Sequence, residues 1–198
     1  MTNDKKPGTY HGLFGRNRNR IKCKSSGFSP VFLLVSIFLL GLAGCNGEQR
    51  FEARAAQDFS LPTLDGGETV SLSDYRGEVV YLTFWASWCV PCRTEMPYLA
   101  QLWERHHENG FRVIAINVDE NLEDALKFAA EQDVPFLMVR DEGRELSKQY
   151  KVPGYPTHYL LDRRGRIRYS GLGFNLKDVA AVSQEVETLL AESVDAAD

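Results

Sequence analysis

The 198-residue sequence has only four cysteines, and only Cys89 and Cys92 lie beyond residue 45. One cysteine pair cannot by itself make a structural zinc site, which takes about four ligands. His106 and His107 fall at the far end of an expected helix, and His158 alone does not complete a set. Acids are scarce in the first 44 residues, where Asp4 stands against seven Lys and Arg. Bases are the minority afterwards, 16 against 26 acids. A body of net charge −10 has no basic surplus for phosphates, which excludes nucleic acid as a general partner. The apolar run Val31 to Leu42, with only Ser36 polar, has twelve residues. That is short of the roughly 18–20 needed to span a bilayer. There is no internal repeat and no low-complexity tract. The length excludes two large domains, and 43% hydrophobic residues exclude a disordered body.

A basic stretch (Arg16, Arg18, Arg20, Lys22, Lys24), the apolar run and then small residues follow the order of a secretory leader. Leu42-Ala43-Gly44-Cys45 resembles the bacterial lipobox. That resemblance implies a diacylglyceryl thioether on Cys45, cleavage before it, and two or three acyl chains as a firm anchor. An uncleaved helix anchor and a cleaved soluble form are the alternatives. All three place the body outside the cytoplasmic membrane. The expected organisation is a leader over 1–44, a polar tether over 45–57 and one domain over 58–194.

In the body, Phe59 to Leu72 has two alternating runs around Asp65-Gly66-Gly67, a hairpin signal. Val79 to Trp85 is continuously apolar and β-rich, as in a central buried strand. Pro91 to Asn109 reads as a helix stopped by Gly110, with Pro97 as an expected kink. A strand at Phe111–Val118, a helix at Leu122–Gln132, a strand at Phe136–Val139 and a short helix at Arg144–Tyr150 follow. Strands at Thr157–Leu161 and Arg166–Ser170 flank a turn, and Leu176–Leu190 is an amphipathic helix. This order predicts a mixed sheet with helices on both faces.

Cys23 leaves with the expected leader and Cys45 is assigned to lipid, so the chemistry rests on Trp88-Cys89-Val90-Pro91-Cys92. The pair follows a central strand and opens a helix. Unpaired N–H groups and the positive dipole end stabilise a thiolate there. Cys89 sits at that end; Cys92 lies one turn in, shielded and close enough to bond to it. Pro91 in the first turn costs no hydrogen bond. A purely structural disulfide is poorly motivated, because so small a loop restrains the unfolded chain little. The pair therefore reads as a redox dithiol. The histidine pair reads as a solvated helix end, and Arg163-Arg164-Gly165-Arg166 as an exposed turn.

Phe84-Trp-Ala-Ser-Trp-Cys-Val-Pro-Cys-Arg-Thr-Glu-Met-Pro97 resembles the active-site segment of the thioredoxin superfamily, and more closely the TlpA/ResA/CcmG-like membrane-anchored thiol–disulfide oxidoreductases. Leu72-Ser-Asp-Tyr-Arg-Gly77, Val113 to Val118 and Val152-Pro-Gly-Tyr-Pro-Thr157 extend the likeness over nearly the whole body. It implies an α/β thioredoxin-like fold: a central mixed β-sheet flanked by helices, an N-terminal β-hairpin and a central αβ insertion. It implies a cis Pro156 facing the cysteines, ahead of Pro153, with Tyr155 offering backbone to an extended substrate. Trp88 and Tyr155 would shape the docking surface, and Trp85 would pack. Thioredoxins place a buried Asp where this chain has Thr83. The anchored branch often has a Glu after the third strand, matched by Glu120, a candidate for proton handling or a solvated loop carboxylate.

The resemblance implies a lipid-anchored, periplasmic or cell-surface enzyme without cofactor or metal. Its partners would be exported protein disulfides, apocytochrome c in cytochrome c biogenesis among them, and a membrane electron donor. Two alternatives stand beside it. One is a non-catalytic binding lipoprotein on the same scaffold, against which the intact cysteine pair speaks. The other is a peroxiredoxin-like enzyme, whose Pro-x-x-x-Thr-x-x-Cys setting is replaced here by Leu82 and Ala86 before Cys89.

Overall fold

The computed structural model describes residues 54–193 apart from Asp178. The expected leader, Cys45 and most of the expected tether lie outside the described residues. The expected hairpin forms from β1 (Ser60–Pro62) and β2 (Thr69–Ser71), antiparallel, with Leu61 opposite Val70. Gly66 at the turn has φ 74°, a conformation that costs glycine little.

Every residue of β3 (Val79–Trp85) is buried, as the unbroken apolar run requires. Next comes α1 (Val90–His106), which continues through Pro97 and passes into a 3₁₀ turn at His107–Asn109. Gly110, at φ 86°, ends it in a left-handed cap. β4 (Phe111–Asn117) runs parallel to β3. α2 (Leu122–Gln132) is capped by Asn121, whose side chain accepts from Glu123 N. β5 (Leu137–Arg140) runs parallel to β4. α3 (Glu145–Gln149) leads to β6 (Thr157–Leu161) and β7 (Ile167–Leu172), antiparallel to β3 and β6 respectively. α4 (Val179–Ala191) follows. The five-stranded sheet has the order β5-β4-β3-β6-β7.

Side chains alternate across β3. Tyr81 and Thr83 reach α1, and Trp85 stacks on Phe128 of α2. On the other face Phe84 packs against Tyr150, beyond α3, and Tyr159. Helices thus cover both faces of a mixed sheet.

The structure moves some boundaries. β5 sits one residue later than expected, and β7 runs on to Leu172, where it still pairs with Thr157. α4 begins at Val179 rather than Leu176. Asn175 Oδ1 accepts from Lys177 N, a local turn that competes with the helix, and Leu176 is exposed. Arg144 ends a 3₁₀ turn with φ 63°, so α3 starts after it.

The ends of the sheet away from the cysteines are tied by Arg163. Its guanidinium donates to the carbonyls of Gly77, Asn109 and Leu190, ahead of β3, ahead of β4 and within α4. There too, Ala55 bridges to Arg166, with Ala56 N donating to Gly165 O and Ile167 N to Arg54 O.

Candidate active site

Cys89 is the N-cap of α1, and Cys92 lies in the helix's first turn. Their Cα atoms are 5.3 Å apart and the sulfurs are bonded. Cys92 N also donates to Cys89 Sγ at 3.2 Å, so one orphan amide of the helix's first turn is aimed at that sulfur. A thiolate at Cys89 would meet the same donor and the positive dipole end. Cys92 is fully buried and Cys89 nearly so.

The loop before Cys89 is held from β4. Asp119 Oδ2 accepts from Ser87 N and from Asn117 Nδ2, both at 2.8 Å. Asp119 N in turn donates to Asn117 Oδ1. On the other side, β6 meets β3 in a register that pairs Thr157 with Phe84. Pro156 therefore lies at the cysteine end of the sheet, and the Tyr155–Pro156 bond is cis. Thr157 Oγ1 donates to Gly154 O, and Gly173 N to Pro156 O. Trp88, 63% exposed, meets the Tyr155 ring edge-on at 5.7 Å. Trp88, next to Cys89 in the chain, thus meets Tyr155, next to Pro156, at the cysteine end of the sheet. Trp85 is buried in packing contacts.

Glu120 is placed elsewhere. Its side chain is 90% exposed and reaches Arg144 at 3.4 Å. The buried carboxylate on the cysteine helix is Glu95, three residues after Cys92 and on the same helix face. Tyr81 Oη donates to Glu95 Oε1 at 3.1 Å, and Thr83 Oγ1 to Oε2 at 2.8 Å. His158 Nδ1 stands 3.4 Å from Oε1. Burial first, and then the Glu95 charge, push the Tyr81 hydroxyl well above the usual tyrosine range, so it remains a donor. Sequence reasoning missed Glu95. The available signal was its place in the buried stripe Cys92, Met96, Leu99, Leu102.

Among the described residues no group of three His, Cys, Asp or Glu is placed to hold a metal ion. What the arrangement can do is exchange a disulfide. It offers one sulfur at a helix N-terminus, a second one turn deeper, and a buried carboxylate one turn deeper again. Leu82 and Ala86, at the positions where a peroxidatic site needs Pro and Thr, are buried and apolar.

The AhpC/TSA family profile matches residues 53–170. The chain is 32% identical over 145 residues to a thiol-disulfide oxidoreductase ResA of Bacillus thuringiensis, covering 71% of this chain and 83% of that protein. It is 36% identical over 146 residues to the thioredoxin-like protein YneN of Bacillus subtilis, covering 68% and 84%. Among solved structures, one from Chlorobium tepidum described as a thiol:disulfide interchange protein DsbE superposes with a TM-score of 0.67 at 39% identity, covering 70% of this chain and 97% of that one. With the cysteine pair at the mouth of α1, these likenesses agree with the geometry: the chain belongs to the AhpC/TSA family and is a thiol–disulfide oxidoreductase of the ResA/DsbE type.

Proposed function

We propose that this oxidoreductase works as a reductase of exported proteins, held to the membrane by lipid on Cys45. The observation that carries the chemistry is Cys89 as N-cap of α1, beside the exposed ring of Trp88. Cys89 thiolate attacks a substrate disulfide, and Cys92 then attacks Cys89 Sγ and releases the reduced substrate. Glu95 takes the proton that Cys92 gives up; Glu120 is the lesser candidate for that task. Trp88, Tyr155 and Pro156 receive an extended segment of the substrate. Apocytochrome c is one substrate class that fits, and a membrane protein supplies the electrons. The leader-like N-terminal order and the likeness to ResA-type proteins support the extracytoplasmic placement.

The direction rests on Val90-Pro91. This dipeptide lacks the His that stabilises the first thiolate in strongly oxidising relatives, so the reduced form gains less. The couple is expected nearer thioredoxin, roughly −270 mV, than the strong oxidant at about −120 mV. A redox titration against glutathione or dithiothreitol, following Trp88 fluorescence, measures it. A potential above about −160 mV on that scale contradicts the reductase reading.

A further inference from the structure

His158 lies one strand over from Thr83 and is 3% exposed. Its ring stacks with Tyr81, at 5.4 Å and 25°, and with Tyr169, at 5.9 Å and 6°. Thr83, His158 and Gly171 form a row across β3, β6 and β7. The glycine is needed there, because a Cβ on Gly171 would lie 2.3 Å from His158 Nε2. Neither ring nitrogen makes a well-aligned hydrogen bond among the described residues, yet Nδ1 points at Glu95 Oε1 from 3.4 Å. A buried polar atom without a partner is costly, so packing alone would favour an apolar ring here. Beside a buried carboxylate, an imidazole has a use that Phe lacks: its ring nitrogens can donate and accept a proton.

We infer that His158 is a positioning residue for thiol–disulfide exchange: its imidazole shares one proton with the Glu95 carboxylate and keeps that carboxylate able to take the proton of Cys92. This rests on the reading of Glu95 as the acceptor. In the resolving step the Cys92 S–H bond breaks, and its proton passes to the Glu95–His158 pair. The freed electron pair forms the bond to Cys89 Sγ, and the bond from Cys89 to the substrate sulfur breaks. The substrate sulfur leaves as a thiolate and takes a proton from solvent, so two electrons have moved from the dithiol to the substrate. When the donor reduces the enzyme again, the stored proton returns to Cys92.

Among the described residues, few titratable groups face the imidazole. β3 supplies Tyr81, which burial holds neutral, and β7 supplies Tyr169. α1 supplies Glu95, with Cys92 one turn before it. α1 also supplies Tyr98, which neighbours Tyr81 and whose hydroxyl is held by Val179 O and Ser183 of α4. Arg168 and Glu192, on β7 and just after α4, bind each other.

The test uses the reduced protein and one equivalent of dithiobis-nitrobenzoate, whose thiolate is coloured. The first thiolate released reports attack by Cys89, and the second reports attack by Cys92. His158→Phe should slow the second release about tenfold at neutral pH and leave the first within about twofold, a modest share of what a positioned proton acceptor contributes. His158→Asn keeps a donor towards Glu95 but cannot hold an added proton, and it should not restore the second rate. Glu95→Gln should slow the second release as well, and His158→Phe should add nothing in that background. A second release unchanged in His158→Phe, both releases slowed equally, or full rescue by Asn overturns the assignment of His158. If Glu95→Gln leaves the second release at the wild-type rate, the acceptor role of Glu95 fails and the inference falls with it.

Discussion

Thr83 of β3 donates its hydroxyl to Glu95 Oε2 of α1 at 2.8 Å. The strand position where thioredoxins keep a buried acid thus holds instead the donor for an acid that comes from the helix. Thr83→Val keeps the shape and removes the donor, leaving a buried carboxylate oxygen short of a partner. The expected cost is about 1–3 kcal/mol, read as a lower urea midpoint with an unchanged slope. An unchanged midpoint would show that this bond contributes no stability.

Exchange at Cys89 should be separable from resolution at Cys92. Cys89→Ser should abolish dithiothreitol-driven insulin reduction. Cys92→Ser should still attack and should accumulate in mixed disulfides, which non-reducing gels and mass spectrometry resolve. Trapped species in Cys89→Ser and none in Cys92→Ser would exchange the two roles.

The exposed ring of Trp88 should matter for large substrates and not for small ones. Trp88→Ala is expected to raise KM for a protein disulfide roughly tenfold, as when an aromatic anchor is lost from an interface. Turnover of oxidised glutathione should stay near the wild-type value. Equal losses on both substrates would place the effect in the chemistry instead.

High pH should unfold this domain through its tyrosines. Burial raises the hydroxyls of Tyr75, Tyr81, Tyr98, Tyr150 and Tyr159 above the ordinary range. Above about pH 10 the unfolded chain has lost these protons while the folded chain keeps them, so stability is present below that pH and falls as pH rises through it. Tyrosinate absorbance should therefore grow together with loss of the far-ultraviolet circular dichroism signal. Absorbance that develops fully while the fold persists would contradict it.

The proposal of a lipid anchor on Cys45 predicts that Cys45→Ala leaves an unprocessed precursor of higher mass. Intact-mass measurement and membrane fractionation check it. Unchanged mass and attachment in that variant would favour a helix anchor.

Much of this was legible in the sequence, and unevenly so. The limits of β3 and α2 could be read because a doubly buried strand is apolar throughout and an amphipathic helix repeats at 3–4 spacing. β5 slipped by a residue because four residues carry little pattern. Cys89, Cys92, Trp88 and Pro156 announced themselves by motif. Glu95 did not, since a carboxylate beside Arg93 looks like a solvated helix face until the buried stripe through Cys92 and Met96 is followed. At the end of β4 the acid that turns inward is Asp119, on Ser87 N, whereas Glu120 faces solvent. Arg163 read as part of an exposed turn because nothing local reveals three carbonyls brought together from distant segments.

That Arg163 clamp has an architectural consequence. The segment at Arg54–Ala56 enters the domain beside Gly165 and Arg166, and α4 delivers Leu190 to the neighbouring guanidinium. Entry and exit of the folded unit therefore share one pole, and the exchanging sulfur occupies the other. A unit with adjoining ends is a cassette: it can be spliced behind a leader, or joined to further domains, without rerouting the strands. Fusions at either end should leave the approach to Cys89 open, so the same catalytic pole can be carried on very different supports.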